Sequence, residues 1–220
     1  MPFRRPSPQI LLFGFILLIV IVMIQIEVIT LVLTKLGLSA SSASLLLITT
    51  FIGSTINLPL ARIGSNFVYD ETNPLHQSIL PYRFIDGSTL LAVNVGGGLI
   101  PILFSSYLLT SAQISLTAII LATTIISVIS YLFSRPIANL GIGMPIFIAP
   151  VGAAIMAMML SQENAPALAY ISGSLGVLIG ADILRIKDIR QLNAPIAAIG
   201  GAGTFDGIFM TGIIAVLLTH

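Results

Sequence analysis

Residues 10–34 read ILLFGFILLIVIVMIQIEVITLVLT, an apolar run that contains a single charged side chain, Glu27. A helix needs about 20 apolar residues to cross the hydrocarbon core of a bilayer, so this run predicts a transmembrane helix. Arg4 and Arg5 precede the run, as in a signal peptide. The run exceeds the roughly 7–15 apolar residues of a signal peptide, and we therefore interpret it as a retained span.

The composition of the whole chain favours the same environment. Of its 220 residues, 56% are hydrophobic and 8% are charged, whereas soluble domains are about 45–50% apolar and about 25% charged. The mean hydropathy is +1.08. These values exclude a water-soluble globule, and they exclude a disordered chain because disorder requires low hydrophobicity and high charge. We therefore predict an integral membrane protein in contact with the lipid bilayer.

Six further apolar stretches are long enough to cross a membrane. All seven are continuous runs, unlike the short alternating strands of a membrane β-barrel. The sequence therefore predicts an all-α fold, a polytopic transmembrane helical bundle that forms one domain over residues 1–220. The predicted spans are residues 10–34, 40–61, 87–110, 113–133, 142–161, 165–184 and 197–219.

The basic residues predict the orientation of the bundle. With seven spans and a cytoplasmic start, eight of the nine lysines and arginines fall in inside segments, and Lys35 alone falls outside. Because cytoplasmic loops carry an excess of Lys and Arg, we place the N-terminus in the cytoplasm and the C-terminus outside. The polar residues 62–86 then lie at the cytoplasmic surface, and the predicted location is the prokaryotic inner membrane.

The residue types that the chain lacks exclude several functions. It has no cysteine, which excludes a disulfide scaffold, a thiolate metal site and a cysteine nucleophile. Two histidines cannot build a His-rich metal site. A net charge of +1 without a Lys/Arg cluster gives no case for nucleic acid. The sequence thus predicts no metal, no cofactor and no nucleic-acid partner.

Two glycine pairs have the spacing of helix-packing motifs. Gly176 and Gly180 lie in the sixth predicted span, and Gly203 and Gly207 lie in the seventh. Glycines four residues apart let transmembrane helices approach each other closely, so we interpret both pairs as contacts between helices.

Polar side chains inside the predicted spans need individual explanations, because an ionisable group at a helix centre costs about 2.5–3.5 kcal/mol on insertion scales. Glu27 lies in the first span, eight residues before Lys35. Three interpretations are open: Glu27 lies near the outer interface, it pairs with Lys35, or it is an ion or proton ligand. Asn57 comes two residues before Pro59, and we interpret it as a cap for carbonyls that a proline kink leaves unpaired.

The third predicted span contains a glycine-rich interruption. Asn94 is followed by Gly96, Gly97 and Gly98, and then by Pro101. Three glycines loosen a helix, and unwound backbone at membrane depth is tolerated only beside protein or a water-filled cavity. Discontinuous helices of this kind often build transporter sites. The alternative is close packing in which Asn94 makes a hydrogen bond between helices.

Two aspartates in the last two spans are the sharpest feature of the sequence. Asp182 ends the sixth span, and Asp206 follows a glycine-rich segment, residues 200–203, in the seventh. The two helices are predicted antiparallel neighbours, and a kink at the glycines brings the carboxylates together. Two carboxylates that share a site cannot both ionise easily and hold one proton between them. Such a dyad activates water with one member and protonates a leaving group with the other.

The aspartates also allow other interpretations. The same pair could carry a proton or bind a cation. Asp182 could instead cap the end of its helix or form an ion pair with Arg185. The glycine-rich segment at residues 200–203 is similar to the one that follows Asn94, and an internal repeat is therefore a further interpretation.

Three segments resemble those of an uncharacterised family of small prokaryotic polytopic membrane proteins. They are Asn94–Pro101, Gly180–Asp182 and Gly200–Gly212. This resemblance covers most of the chain and implies no particular activity.

The C-terminal part also resembles presenilin-like and signal-peptide-peptidase-like intramembrane aspartyl proteases. Those proteins place one Asp on a helix that runs toward the cytosol and a second in a Gly-x-Gly-Asp motif on the returning helix. Here Asp182 ends the outgoing helix, and Gly201 and Gly203 precede Asp206 on the return, with two residues between Gly203 and Asp206. The resemblance implies a diaspartyl peptidase with Asp182 and Asp206 as its catalytic residues.

Three functions remain open at this point. The first is an intramembrane peptidase that cleaves membrane-embedded peptides. The second is an ion- or proton-coupled transporter or channel that uses Asp206, Asn94 and Glu27. The third is a non-catalytic scaffold or assembly subunit with other membrane subunits as partners. In the first two, glycines give a substrate or ion access to the backbone; they are Gly96, Gly97, Gly98, Gly201, Gly203 and Gly207.

Overall fold

The computed structural model describes residues 8–67, 87–137, 141–192, 194–201 and 207–219. The helices in these ranges are α1 (Pro8–Lys35), α2 (Ala40–Gly53), α3 (Ile100–Ser111), α4 (Leu116–Phe133), α5 (Ile148–Leu160), α6 (Ala165–Val177) and α7 (Gly207–Leu217). Two π-helical segments, π1 (Val95–Leu99) and π2 (Leu178–Ile183), lead into α3 and out of α6, and a 3-10 helix spans Ile186–Gln191. The strands are β1 (Asn57–Gly64), β2 (Ser88–Asn94), β3 (Arg135–Ile137), β4 (Gly141–Gly143) and β5 (Ile196–Ile199).

Three helical segments among the described residues are long and apolar enough to cross a membrane. They are Phe15–Lys35, Leu116–Phe133 and Ala165–Ile183, with 21, 18 and 19 residues. At 1.5 Å per residue each is about 27–32 Å long, close to the roughly 30 Å of the hydrocarbon core. These segments correspond to the first, fourth and sixth predicted spans and are consistent with a membrane protein.

The chain divides into two compact units, residues 1–47 and 48–220. In the first unit, the described side chains of α1 are exposed from Leu11 to Val28. A helix that is apolar on all sides and exposes those side chains suits lipid as its solvent. The prediction of one transmembrane domain over the whole chain stays a prediction.

Helix α6 lies at the centre of the second unit. It packs against α3, α4, α5 and α7, and nearly all of its residues are buried. Alanine, glycine and serine make up most of its sequence, APALAYISGSLGV. Small side chains permit this close approach of several helices. In a membrane, close packing of this kind drives helix association, because lipid provides no hydrophobic driving force between helices.

The predicted contact at Gly176 and Gly180 is confirmed. A Cβ atom on Gly176 would lie 2.6 Å from Ile126 Cγ2, and one on Gly180 would lie 2.8 Å from Ser130 Cβ and overlap the carbonyl oxygen of Ser127. Residue numbers therefore rise together along α4 and along α6–π2. The two helices run in the same direction, and their C-terminal ends lie at the same side of the bundle.

Helix α7 runs antiparallel to α6. The hydroxyl of Ser174 donates a hydrogen bond to the Ile208 carbonyl at 3.4 Å, and a Cβ on Gly212 would lie 2.8 Å from the ring of Tyr170. The fully buried Tyr170 ring also meets Phe104 of α3 edge-on, with centroids 4.9 Å apart. Glycine at position 212 thus makes room for an aromatic pair, which prefers this edge-on geometry.

A three-stranded sheet contacts π1 and π2, and β2 is its central strand. Strand β2 pairs antiparallel with β1 and parallel with β5. The register of β1 shifts between Pro59 and Ala61, at an edge strand where a residue without an N–H is tolerated. The 3-10 helix and the residues after it cover one face, where Ile189 and Leu192 pack on Leu91. Strands β3 and β4 form a separate pair.

The all-α prediction is wrong, although the fold is mostly helical, and four of the seven predicted spans are not continuous helices. In residues 40–61, α2 gives way to β1, and residues 87–110 begin with β2. Residues 142–161 become helical only at α5, and residues 197–219 begin with β5. The helices in these four stretches are correspondingly short.

In residues 87–110 the reason for the error is that the central strand β2 is buried. Leu90, Leu91 and Ala92 of β2 are all buried, and the strand carries no alternation of polar and apolar residues. Strands of parallel sheets are covered on both faces, and periodicity cannot separate such a run from a buried helix.

Candidate functional site at the glycine junction

Two parallel strands end side by side, and each leads into glycines and then a helix. Strands β2 and β5 pair in register from Leu90 with Ile196 to Val93 with Ile199. Strand β2 continues into π1 and α3, whereas β5 is followed by two glycines and, after the undescribed residues 202–206, by α7. We use the name glycine junction for the place where these backbones meet, comprising Gly96, Gly97, Gly98, Gly200 and Gly201.

The backbones at the glycine junction touch without room for side chains. A Cβ on Gly200 would lie 2.6 Å from Gly98 Cα and overlap its backbone nitrogen, and Gly200 has a φ of +83°. Gly201 also has a positive φ, +87°. A Cβ on Gly96 would lie 2.8 Å from the Cα of Ser54, just after α2. Only glycine fits these close approaches.

Asn94, the last residue of β2, is fully buried and its amide group is engaged. The Nδ2 atom donates to the Ser54 carbonyl at 2.7 Å and to Asn57 Oδ1 at 3.0 Å. The Oδ1 atom accepts from the Gly97 N–H at 2.8 Å and caps π1. Both N–H groups of the amide donate hydrogen bonds to the protein. The sequence allows either a ligand role or a packing role for Asn94, and these contacts agree with the packing role.

Asn57 does not have the predicted surroundings. No proline kink forms in a helix here, because α2 ends at Gly53 and Pro59 lies in β1. Asn57 begins β1 and accepts the hydrogen bond from Asn94. The two asparagines thus join the end of β2 to the start of β1.

Asp182 lies in π2 with its side chain partly buried. Its Oδ2 atom accepts a hydrogen bond from the Gly200 N–H at 3.1 Å. Hydrogen bonds from backbone amides to carboxylates are charge-assisted and stronger than neutral ones. Segments of π-helix are frequent at functional sites. The structure therefore places one predicted catalytic carboxylate directly at the glycine junction.

Arg185 does not pair with Asp182. Its Nη1 atom binds Asp188 Oδ2 at 2.8 Å, and its Nε atom donates to Ser134 Oγ at 2.9 Å. Its Nη2 atom donates to the Tyr131 carbonyl at 2.6 Å, and the guanidinium carbon lies 4.5 Å from the centroid of the same ring. These contacts fasten the chain after π2 to the end of α4, in the manner of a planar group that bonds and stacks at once.

Several predicted site residues come together at the glycine junction, namely Asn94, Gly96, Gly97, Gly98, Gly201 and Asp182. Asp206 and Gly203 lie outside the described residues, so the approach of the two aspartates stays a prediction. Gly207 begins α7, and a Cβ there would find no described atom within 4 Å. The helix contact predicted from the Gly203 and Gly207 spacing stays a prediction.

Glu27 belongs to the first compact unit, where it is exposed on α1. Its three interpretations, a position near the outer interface, a pair with Lys35 and an ion or proton ligand, stay predictions.

The sequence interpretation did not single out Gly200 or Ser54 individually. A signal for Gly200 was present, because alignment of residues 90–93 with residues 196–199 places Gly200 opposite Asn94 in two similar apolar runs. Ser54 contributes through its backbone carbonyl, and no side-chain pattern predicts such a contact.

The arrangement limits the chemistry that the glycine junction can support. A partly buried carboxylate that accepts a hydrogen bond from a backbone amide can take up or release a proton, or attract a cation. Among the described residues, no group of three His, Cys, Asp or Glu side chains could hold a metal ion. The chemistry of this site therefore centres on Asp182 and on whatever group reaches it.

A comparison with protein families identifies the chain. The family described as "Protein of unknown function (DUF1614)" matches residues 51–218. The chain therefore belongs to this family, which confirms the resemblance to an uncharacterised family. The matched region contains the sheet, the glycine junction and helices α3 to α7. No curated protein and no solved structure matches the chain.

Proposed function

We propose that this DUF1614 protein is an intramembrane aspartyl peptidase with Asp182 and Asp206 as its catalytic dyad. The proposal rests above all on the hydrogen bond of 3.1 Å between the Gly200 N–H and the Asp182 carboxylate. Gly200 begins the chain segment that leads to Asp206. Asp182 is therefore bound to the start of the segment that carries Asp206.

Both described flanks of residues 202–206 are attached to the continuous helix formed by α6 and π2. Gly200 binds Asp182 on one flank, and the Ile208 carbonyl accepts from Ser174 on the other. Ser174 and Asp182 are about 12 Å apart along a helix axis, and the chain from Gly200 to Ile208 reaches at most about 29 Å when extended. A segment held at both ends on one helix supports an approach of the two carboxylates.

The proposed reaction is the hydrolysis of a peptide bond by two carboxyl groups that share one proton. The ionised group takes a proton from water as the water oxygen attacks the scissile carbonyl, and the protonated group donates to the amide nitrogen as the C–N bond breaks. One water is consumed, and an acid and an amine are formed. In the proposed orientation, water enters from the cytoplasmic side.

The proposed substrate is a membrane-embedded peptide bound in an extended conformation. Strand β5 pairs with β2 on one side, and no described strand pairs with its other edge. Extended peptides add to free sheet edges through main-chain hydrogen bonds. A peptide added to β5 would run toward Gly200 and Asp182, where glycines leave space for its backbone.

We propose that the chain crosses the prokaryotic inner membrane seven times, starting from the cytoplasm. The four shorter apolar helices have 11 to 17 residues and measure about 17–26 Å. Strands and glycine segments would complete these crossings of about 30 Å, which is feasible only for backbone buried in protein. The distribution of eight basic residues against one supports this orientation.

The peptidase proposal is tested with purified full-length protein in liposomes that contain a fluorogenic transmembrane peptide. We expect cleavage, and a decrease of at least about a hundredfold in Asp182→Asn and in Asp206→Asn, because each removes one acid–base group. Asp188→Asn is the matched control, since Asp188 is bound by Arg185. Retained cleavage in both dyad variants, or none in the wild type, would contradict the proposal.

A second candidate function is ion- or proton-coupled transport. It is favoured by the two parallel strand–glycine–helix units, because hydrophobic segments interrupted by glycine at matching positions mark the binding sites of many transporters. Asp206, Asn94 and Glu27 would line the path. The donors of Asn94 are already used, so its backbone and the glycine carbonyls would supply the ligands.

The two candidates give different results in the same liposomes. Transport requires cation or proton flux that Asp206→Asn abolishes, without any cleavage of the peptide. Peptidase activity requires cleavage without such flux. If neither activity is present and both aspartate variants assemble normally, the scaffold interpretation is supported.

A further inference from the structure

We infer that the C-terminal ends of α4 and α6–π2 form a binding surface for anionic phospholipid head groups. The surface consists of Arg135, Lys187 and Arg190. It lies outside the glycine junction and does not depend on the proposed peptidase or transport activity.

The three basic residues follow two membrane-length helices that point the same way. Gly176 packs at Ile126, and Gly180 packs at Ser127 and Ser130, so α4 and α6–π2 run parallel. Arg135 comes just after the first, and Lys187 and Arg190 after the second. Parallel helices end at the same face of the bilayer, so all three cations lie at one membrane surface.

Local structure brings the cations toward each other and turns them outward. Strand β3, which begins with Arg135, packs against the 3-10 helix Ile186–Gln191. Side chains three residues apart align in a 3-10 helix. Ile189 is therefore buried on the sheet together with the partly buried Ile186, whereas Lys187 and Arg190 share the exposed side.

These three cations differ from their neighbour Arg185. Arg135, Lys187 and Arg190 are exposed, and their side chains have no hydrogen-bond or ion-pair partner among the described residues. Arg185 already binds Asp188, which neutralises the acid closest to the surface in sequence. The surface therefore keeps three positive charges available for a ligand.

Exposed apolar side chains place these charges at the level of lipid head groups. Leu132 and Phe133 are 65% and 49% exposed just before Arg135, and Ile183 and Leu184 are 44% and 55% exposed before the 3-10 helix. Apolar side chains next to cations match a phospholipid, whose acyl chains contact the former and whose phosphate contacts the latter. Basic pockets between transmembrane helices bind anionic head groups in this way.

The experiment compares lipids with identical acyl chains and different head groups. Full-length protein in neutral detergent is titrated with phosphatidylglycerol, phosphatidylcholine or inorganic phosphate, and bound lipid is counted by native mass spectrometry. We expect phosphatidylglycerol to bind more tightly than phosphatidylcholine, with a preference that high salt removes. Inorganic phosphate at the same concentration is expected not to compete, because it lacks the acyl chains.

Variants locate the preference on the named side chains. Each of Arg135→Gln, Lys187→Gln and Arg190→Gln is expected to weaken phosphatidylglycerol binding about fivefold, and the triple variant to bind both lipids equally. Lys35→Gln is the matched control and is expected to keep the preference. The single variants suffice if the triple variant fails to fold.

Three results would overturn the inference. The first is an undiminished preference for phosphatidylglycerol in the variants. The second is an equal loss in the Lys35→Gln control, which would indicate a non-specific charge effect. The third is competition by inorganic phosphate, which would indicate a site for free anions in place of a lipid surface.

Discussion

The two strand–glycine–helix units have the same order of described elements and differ in the polar side chain that binds at the end of each strand. In the first, β2 ends at Asn94, a buried neutral amide with three hydrogen bonds. In the second, Gly200 occupies the matching position after β5, and its N–H binds the carboxylate of Asp182. An amide with both N–H groups in use holds structure together, whereas a partly buried carboxylate keeps the capacity for proton transfer. We therefore expect the first unit to contribute stability and the second to contribute the proposed chemistry.

Gly200→Ala tests the contact between the two strand–glycine–helix units and is expected to have the largest effect on stability. The new Cβ would meet the backbone of Gly98 at a φ of +83°. The left-handed conformation costs about 1–2 kcal/mol and overpacking about 1–3 kcal/mol more, so we expect a loss of about 2–5 kcal/mol in the free energy of unfolding. Unfolding by SDS in mixed micelles measures this change.

Gly37→Ala is the control for this variant. Gly37 has a similar φ of +87°, but a Cβ there meets nothing within 4 Å. It should cost only the conformational term of about 1–2 kcal/mol. Equal effects of Gly37→Ala and Gly200→Ala would show that the two backbones do not touch.

Asn94→Ala removes the side chain that makes three hydrogen bonds at the end of β2. Gly97 N–H would lose its acceptor in a buried site, and Ser54 and Asn57 would lose a donor. Unsatisfied buried groups cost about 1–3 kcal/mol, and we expect a loss of stability in this range by SDS unfolding. A change below about 0.5 kcal/mol would contradict the structural role of Asn94.

Asp182→Asn is expected to have the opposite profile from Asn94→Ala. The amide oxygen still accepts from the Gly200 N–H, and this hydrogen bond loses its charge-assisted part. We expect a loss of stability of less than about 1 kcal/mol, together with loss of cleavage. A large loss of stability would place Asp182 in the same structural class as Asn94.

Gly207→Ala is expected to have the smallest effect. Position 207 lies at the start of α7, where a Cβ meets no described atom. Substitutions at such open positions usually change stability by no more than about 0.5 kcal/mol. A loss above about 1 kcal/mol on SDS unfolding would show that Gly207 is a packing residue after all.

The sequence predicts long helices correctly in three of the seven stretches. The helical segments that are long and apolar enough to cross a membrane coincide with residues 10–34, 113–133 and 165–184. The prediction fails where a short strand adjoins a short helix; β2 and α3, for example, together form one apolar run of the right length. Residues 90–93 are part of a strand because they pair with the distant residues 196–199, and no local pattern encodes that pairing.

The candidate site is predicted in part for a related reason. Asn94, Gly96 and Asp182 stand out as polar or conformationally free residues in apolar surroundings, and the structure brings them to one junction. The partners of Asn94 and Asp182 include the backbone groups of Ser54, Gly97 and Gly200. Backbone groups are present at every position, so only the fold determines which of them become ligands.

Cross-linking in this cysteine-free chain measures whether Asp182 and Asp206 meet. The variant Asp182→Cys/Asp206→Cys is oxidised mildly in membranes, since a disulfide requires Cβ atoms about 3.5–4.5 Å apart. Gly173→Cys/Ala215→Cys is the positive control between α6 and α7, because its Cβ atoms would lie 3.6 Å apart. We expect both pairs to cross-link; cross-linking of the control alone would contradict the approach of the two aspartates.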